Sequence, residues 1–565
     1  MNVTYNRLGL YLCQQRRYSS GWRKFRLNIP TTHRAVNDVA ALLRDVGYTY
    51  LPHDARSLLR TERKAGIVDG NFIHFGLACQ VEGKLKDGLR DSADLDRLHL
   101  NIDGIPIFKS SSTSFWPILC SVSNSVHKEP FVVSIFCGPG KPPDLNKFLI
   151  PFLTEMKDLE HNGVDVKDTH YDVALTAVIC DTLARSFVKC TKGHAGFHSC
   201  DRCTQRGEHQ EGRLFFRATE DITLRTDAAF RAMTDADHHH GRSPFCDLQI
   251  DMIHGFPLDH MHSVCLGIVK RLLCSWIKPS KLPTRIGIGQ RQLINEYLLN
   301  CRLPREFQRQ PRSLEDLDMW KATEFRSFVL YTGPAALKRA LPTKQYHHFL
   351  LLHVAVSILV SPQLCLTSYN RYASELLVRF VHEYGDIYGV HNTVCNVHSL
   401  CHLAEECKHH GALDCFSAFP YENYLGQLKS LLRSSSKPLA QVSRRLSELC
   451  ATGTSTSKST TGLSSVLPAS ENDSSCLMSD GHIVAVTEVT AEHIVGHIYE
   501  GLHDLYTYPL PSSDFHICKA SSTVSLNVKT WPRQSFVAKC VRLNYGRGVV
   551  LAPLRHFGDS YTAAC

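Results

Sequence analysis

Hydrophobic and polar positions change period several times along the chain. In "LHLNIDGIPIF", Leu98, Leu100 and Ile102 alternate with His99, Asn101 and Asp103, the period of a half-buried strand. "FWPILCSVS" and "FVVSIFCG" add two β-branched and aromatic runs. A stretch of helical spacing follows, "LNKFLIPFLTEMKDLEHNG", then the continuous apolar run "YDVALTAVICD" and the helix-compatible "TLARSFVKC". Three strands able to meander, then a crossover to a buried parallel strand, predict an α/β fold: a mixed sheet with helices on its faces.

Residues 204–395 read as mostly helical, with "DHMHSVCLGIVKRLLCSWI" and "YNRYASELLVRFVHEYG" the clearest cases. "FLLLHVAVSILV" (Phe349 to Val360) is too short to span a membrane, contains His353, and reads as a buried core helix. A further helical stretch, "YENYLGQLKSLLRSSSKPLAQVSRRLSELC", falls in 396–450. The Ser/Thr-rich 451–475 reads as a flexible linker. Beyond it, "GHIVAVTEV", "TVSLNVKTW" and "SFVAKCVRLNYGRGVVLAPL" alternate at period two and predict a small β-rich domain over 476–565. Residues 1–94 mix an amphipathic helix, "AVNDVAALLRDVGY", with basic and aromatic positions able to contact nucleic acid or to form a solvated face.

Composition narrows the class. With 43% hydrophobic and 21% charged residues in a chain of 565, several packed domains are expected and wholesale disorder is excluded. No signal peptide or membrane-length apolar run is visible, so a soluble intracellular protein without a membrane partner is expected. The charge of +9 permits nucleic-acid binding without requiring it. Twenty-two scattered cysteines suggest reduced thiols and a metal site more than disulfides. The cluster "DHHHG" (Asp237 to Gly241) reads as an exposed loop.

Three acids occupy positions of interest. Asp103 ends a strand on its less buried face, where Asp103-Gly104 also fits a type I′ turn. Asp181 stands between an apolar strand and a helix, as a helix cap or as an acid at the carboxyl end of a sheet strand. Glu422, after Pro420, falls in a first helical turn, where it complements the helix dipole. Brought together, such acids can hold two divalent cations for phosphodiester chemistry. Cys200 and Cys203 form a CxxC pair whose completion is either local, with Cys190, His194 or His198, or distant, with His398 and His402 of "HSLCH", one helical turn apart. The distant completion is a closed tetrahedral zinc site that would carry Glu422 toward Asp181. Lys429, Arg433, Lys437, Arg444 and Arg445 supply positive charge after Glu422, for DNA phosphates or for a solvated face.

With these residues assembled, the chain resembles the catalytic core of DDE transposases of the CACTA (En/Spm-like) group, and the related cores of Transib transposases and the V(D)J recombinase catalytic subunit. The resemblance spans about residues 95–450, on "LNIDGIPIFKSSSTSFWPIL", "VICDTLARSFVKCTKGHAGFHSCDRC", "FPLDHMHSVCLGIVKRLL" and "HSLCH" before "PYENYLGQLK". It implies an RNase H-like core, 95–203 and 396–450, interrupted by a helical insertion over 204–395. It also implies Asp103, Asp181 and Glu422 as a catalytic triad for two Mg²⁺ or Mn²⁺ ions, beside a structural Zn²⁺. Its partners would be transposon-end and target DNA in the nucleus, in a homodimer or higher synaptic oligomer. "LDHMH" matches an acidic-x-x-His pattern of such insertions, here Asp259 and His262, with Asp259 the substitute third acid; a capped helix with an inward histidine is the structural alternative. The chain has no recognisable zinc-finger or helix-turn-helix module before the core. The alternative function is a catalytically inactive, domesticated transposase acting as a DNA- or chromatin-binding protein.

Overall fold

The computed structural model describes residues 33–555 apart from 50, 55–56, 58–69, 88–95, 126–127, 211, 218–221, 279–283, 452–472 and 522–523. Most of the expected 451–475 linker, and the basic segment before residue 33, lie outside the described residues. In chain order the first strands are β1 (Phe72–His74), β2 (Asp96–Ile102), β3 (Ile105–Pro106), β4 (Thr113–Val122), β5 (Phe131–Pro139), β6 (Val164–Val166), β7 (Thr169–Tyr171) and β8 (Val173–Ile179). Contacts divide the chain into two compact units. One comprises Met1–Asp94, Ile102–Asp172 and Pro420–Lys458, the other Leu95–Asn101, Val173–Phe419 and Ser459–Cys565.

In the first unit β1, β5 and β4 run antiparallel in that order, and β3 also pairs with β4. The helix Leu145–Asn162 buries Phe148, Leu149, Phe152, Leu153, Met156 and Leu159, one stripe at helical spacing. Asp144 caps it by accepting from Lys147 N at 3.0 Å. Glu155, further along the helix, takes the His74 ring of β1 at 3.0 Å. The helix Phe419–Ser430 is tied to β4 by the Tyr421 hydroxyl, 2.8 Å from Ser121 Oγ.

In the second unit β2 and β8 are parallel neighbours. Strand pairing over the α/β part is therefore mixed, antiparallel from β1 to β4 and parallel between β2 and β8, as the sequence pattern predicts. The helices Thr343–Leu359 and Ser368–Tyr388 pack together, the first buried along nearly its whole length. Two short strands, β9 (Glu208–Gln210) and β10 (Arg213–Phe215), form a hairpin within the stretch read as helical.

The C-terminal strands are β11 (Ser475–Met478), β12 (Ile483–Val489), β13 (His493–Tyr499), β14 (His503–Asp504), β15 (Cys518–Ser521), β16 (Val524–Pro532), β17 (Phe536–Tyr545) and β18 (Gly548–Pro553). They form one antiparallel sheet in the order β14-β15-β18-β17-β11-β12-β13-β16. Buried polar contacts join it to the rest of its own unit. Lys539, fully buried, donates to Glu306 at 2.9 Å and to Asp473. His353 donates from Nδ1 to the Val329 carbonyl at 2.7 Å and accepts at Nε2 from the Tyr506 hydroxyl at 2.8 Å, the tautomer that satisfies both partners.

Three local expectations are corrected. Asp103 and Gly104 are not a type I′ turn, since neither has the positive φ that turn requires. Gly104 is needed for another reason: a Cβ there would stand 2.7 Å from the Trp116 indole. The "DHMHSVCLGIV" stretch is not an α-helix from its start. Met261–Val269 is a π-helix that becomes α only at Lys270. His238 of "DHHHG" is not in an exposed loop. It is fully buried and donates to the His198 carbonyl at 2.6 Å.

Burial moves two core histidines of Thr343–Leu359 down to about 4: His353, and His348, which is stacked on Phe380 at 4.1 Å. Unfolding returns each to its ordinary value near 6.5, so the unfolded chain binds more protons and stability falls with pH through that window. The expected loss between pH 6.5 and 4 is about 3 kcal/mol per histidine, read by urea unfolding at stepped pH. His348→Leu should remove roughly half of that pH dependence; a slope unchanged by the substitution would contradict the assignment.

Candidate metal centre and acidic residues

The centre is assembled from two ends of the second unit. The helix Thr182–Lys189 is closed by Cys190 in a left-handed conformation (φ 55), and the chain then turns through "HSCDRC". Cys200 and Cys203 reach a buried position here, Sγ to Sγ 3.4 Å. From the other side, Cys395–His398 is α-helical and Ser399–His402 tightens into a 3₁₀ turn. That turn brings His398 Nε2 and His402 Nε2 to 3.4 Å. Cys203 Sγ lies 3.3 Å from His398 and Cys200 Sγ 3.6 Å from His402.

A tetrahedral ion with bonds of about 2.3 Å to sulfur and about 2.0 Å to nitrogen would set sulfur–nitrogen separations near 3.5 Å and nitrogen–nitrogen near 3.3 Å. All four residues are buried, and their ligand atoms lie within 4.8 Å of one another. The cluster has the geometry to bind a metal. The local alternative does not form: Cys190 is the helix cap and His198 faces Asp235 at 3.4 Å. Hydrogen bonding from Cys203, against the opposing effect of burial, lowers the Cys200 thiol well below its ordinary range, so the thiolate a metal needs is accessible.

Around the centre lies a buried charge network that sequence reasoning passed over. Asp201 and Arg202, between the two cysteines, engage Lys189 (2.6 Å), Arg185 (3.4 Å) and Glu406 (2.5 Å). Burial alone would raise the Asp201 carboxyl, but Lys189, Arg202 and Arg185 outweigh it and hold it below the usual range. Burial also brings the Lys189 ammonium down to about 8. Phe216 stacks on His398 at 4.9 Å, fixing that ring. Asn396 sits between the ligands and the π-helix: its side-chain amide donates to the Ser263 carbonyl at 3.2 Å. A Cβ on Gly267 would lie 2.2 Å from that same amide nitrogen. Nothing in sequence marks Asn396; the glycine inside a helical pattern is a signal of close approach.

The π-helix begins beside the acidic-x-x-His pair. Asp259 is fully buried; its Oδ2 accepts from the His262 backbone (2.9 Å) and from His262 Nδ1 (2.8 Å), and its Oδ1 from Ala418 N (2.8 Å). Burial would raise its carboxyl, but these hydrogen bonds and the histidines keep it below the ordinary range. Asp259 thus orients the imidazole and anchors the chain at Ala418.

Asp181 caps the helix Thr182–Lys189, accepting from Ala184 N at 2.6 Å. Its neighbour Cys180 forms a parallel bridge to Leu258, the residue before Asp259. In the β2–β8 ladder Asn101 pairs with Ile179. Asp181 stands two residues past the end of β8, and Asp103 one past the end of β2. In the first unit, Asp103 accepts from Gly104 N at 2.6 Å, Glu422 stands in the first turn of Phe419–Ser430, and a carboxylate oxygen of one lies within 4.8 Å of one of the other.

Of the basic residues after Glu422, Lys429 donates to the Pro106 carbonyl at 2.7 Å and Arg445 pairs with the buried Glu448 at 2.6 Å. Arg433, Lys437 and Arg444 are exposed.

Residues 455–554, the C-terminal sheet region, match a family described as a domain of unknown function, DUF8592. No curated protein matches the chain. Among the described residues no helix is long and apolar enough to cross a membrane.

Two outcomes follow from this geometry. Purified protein should carry one tightly held metal per chain, with His402→Ala and Cys203→Ser each losing it by elemental analysis and unfolding at lower temperature; retained stoichiometry would place the metal elsewhere. Gly267→Ala should destabilise the chain by about 1–3 kcal/mol through overpacking. Because Asn396 is the atom it strikes, combining it with Asn396→Ala should be less than additive by at least about 0.5 kcal/mol in a double-mutant cycle.

Proposed function

We propose that the protein is a DDE-type transposase or transposase-derived nuclease, with an RNase H-like core, acting on DNA phosphodiester bonds in the nucleus. The observation that carries the reading is the meeting of Asp103 and Glu422, two acids from distant segments, with oxygens within 4.8 Å. Two carboxylates this close can share a divalent cation. Asp181 is added to the set because it leaves the carboxyl end of the parallel strand β8, where open α/β sheets bind ligands.

In this reading Asp103, Asp181 and Glu422 hold two Mg²⁺ or Mn²⁺ ions, which when bound polarise the scissile phosphate and stabilise the attacking and leaving oxygens. Asp181 has one oxygen engaged as a cap and the other to offer. Asp259 holds the His262 ring with Nδ1 toward its own carboxylate. The Cys2His2 cluster is assigned to structural Zn²⁺, since its four donors leave no open position for substrate. Arg433, Lys437 and Arg444 are assigned to DNA phosphates, with two copies of the chain needed to hold two ends.

The test is Mn²⁺-dependent nicking of duplex DNA. Wild type should nick; Asp181→Ala, Asp103→Ala and Glu422→Gln should each fall by at least about 100-fold while keeping their structural metal. Activity in Asp181→Ala equal to wild type would end the enzymatic reading. Absence of nicking in wild type with DNA binding retained would favour the inactive, DNA-binding alternative.

A further inference from the structure

We propose that Lys338, Arg339, Lys519 and Arg547 form a face that binds the phosphate backbone of duplex DNA, giving the C-terminal sheet a role in holding the polymer. The proposal rests on the DNA-directed reading above for its choice of polyanion; the face itself rests on geometry within one unit.

Lys338 and Arg339 directly follow the short helix Gly333–Leu337. The Lys338 ammonium donates to the Leu505 carbonyl, just past β14. Lys519 lies in β15, opposite His503 of β14 and Val550 of β18. The turn joining β17 to β18 carries Arg547, and its Gly546 (φ +62) lies against Arg339: a Cβ there would be 3.7 Å from the guanidinium. The Arg339 guanidinium stands 5.0 Å above the Tyr545 ring, which meets Tyr297 edge-on at 6.3 Å. An arginine resting on an aromatic face is held in one place without an acid.

These cations bear on one another. After burial, the charges of Lys519 and Arg339 are what lower the Lys338 ammonium below its ordinary value, with Asp504 opposing. Asp504 is turned back to its own loop, accepting from Ser513 N at 2.7 Å and Ser512 Oγ at 3.3 Å. Arg339, Lys519 and Arg547 are exposed, and among the described residues none is in a salt bridge. Like charges gathered this way raise their mutual energy, and a polyanion releases it together with bound counterions.

The experiment is fluorescence anisotropy of a mixed-sequence duplex with full-length protein, without added divalent ions, over about 50–200 mM salt. Arg339→Gln, Lys519→Gln and Arg547→Gln combined should weaken binding at least tenfold and flatten the log K against log salt slope by about 3, near one per phosphate contact. Arg547→Gln alone, on a solvent-facing turn, should give about a third of that change. Lys529→Gln on β16, at the far end of the sheet, should change neither. Metal content and thermal unfolding of the variants should match wild type.

An unchanged slope and affinity in the triple variant would overturn the proposal. So would loss of binding to anionic phospholipid vesicles with duplex affinity intact, which would make the face a membrane site. The nicking assay reads the other hypothesis separately: wild type that binds DNA through this face yet never nicks would refute the reaction and leave the face standing.

Discussion

Four side chains, two sulfurs and two imidazoles, hold together segments separated by 202 residues between Cys200 and His402. No local helical or strand propensity enforces that meeting, and closing so long a loop carries an entropy cost that only slowly depends on its length. A metal bound by four such donors binds the folded chain alone, so its binding free energy becomes folding free energy. The surroundings are built on that premise. Asp201 and Arg202, between the cysteines, are buried and reach Lys189 and Glu406 from two other helices. Buried ions of this kind give little net stability but penalise any wrong arrangement, because a lost partner leaves a charge without solvent. The cluster closes the segment, and the charges fix its orientation.

The same cluster is coupled to the π-helix. Asn396 lies two residues from a ligand and touches both the Ser263 carbonyl and the space above Gly267. A π-helix persists only where packing favours the wider turn, and here the close approach of a neighbouring side-chain amide leaves no room for a Cβ. The helix starts at Met261, between Asp259 and His262, so Asn396 packs on the same helix that carries His262.

How much of this was legible depended on the range of the physics. Strands with period-two alternation or continuous apolar runs, β2, β4, β5, β8, β12 and β17, follow from local pattern because one face must be buried whatever the neighbours are. A buried parallel strand after the crossover was also legible, because a helix separates β8 from β5; that β2 is its partner was not. The short hairpins β6–β7 and β9–β10 were not; with three residues per strand there is no period to read. The Cys2His2 set was legible as one of two completions, and only the distances chose between them. The burial of His238 and the charge network were hidden, since a histidine or lysine is polar in sequence and only a distant Asp201 makes its burial tolerable.

The acids show a different limit. Taken singly, each of Asp103, Asp181 and Glu422 has a complete local explanation. Two of these explanations hold: Asp181 does cap its helix and Glu422 does occupy a first helical turn. A local role therefore does not exclude a second one, because a carboxylate has two oxygens and capping takes only one. What distinguishes these acids from ordinary caps is where their elements end. Asp181 leaves the carboxyl end of the parallel strand β8, where open α/β sheets bind ligands. Glu422 meets Asp103 although a first-turn acid gains nothing from a second carboxylate beside it. Helix-dipole stabilisation accounts for a lone acid. The approach of a second carboxylate lies outside what the dipole explains, and it is the geometry that a shared divalent cation would use.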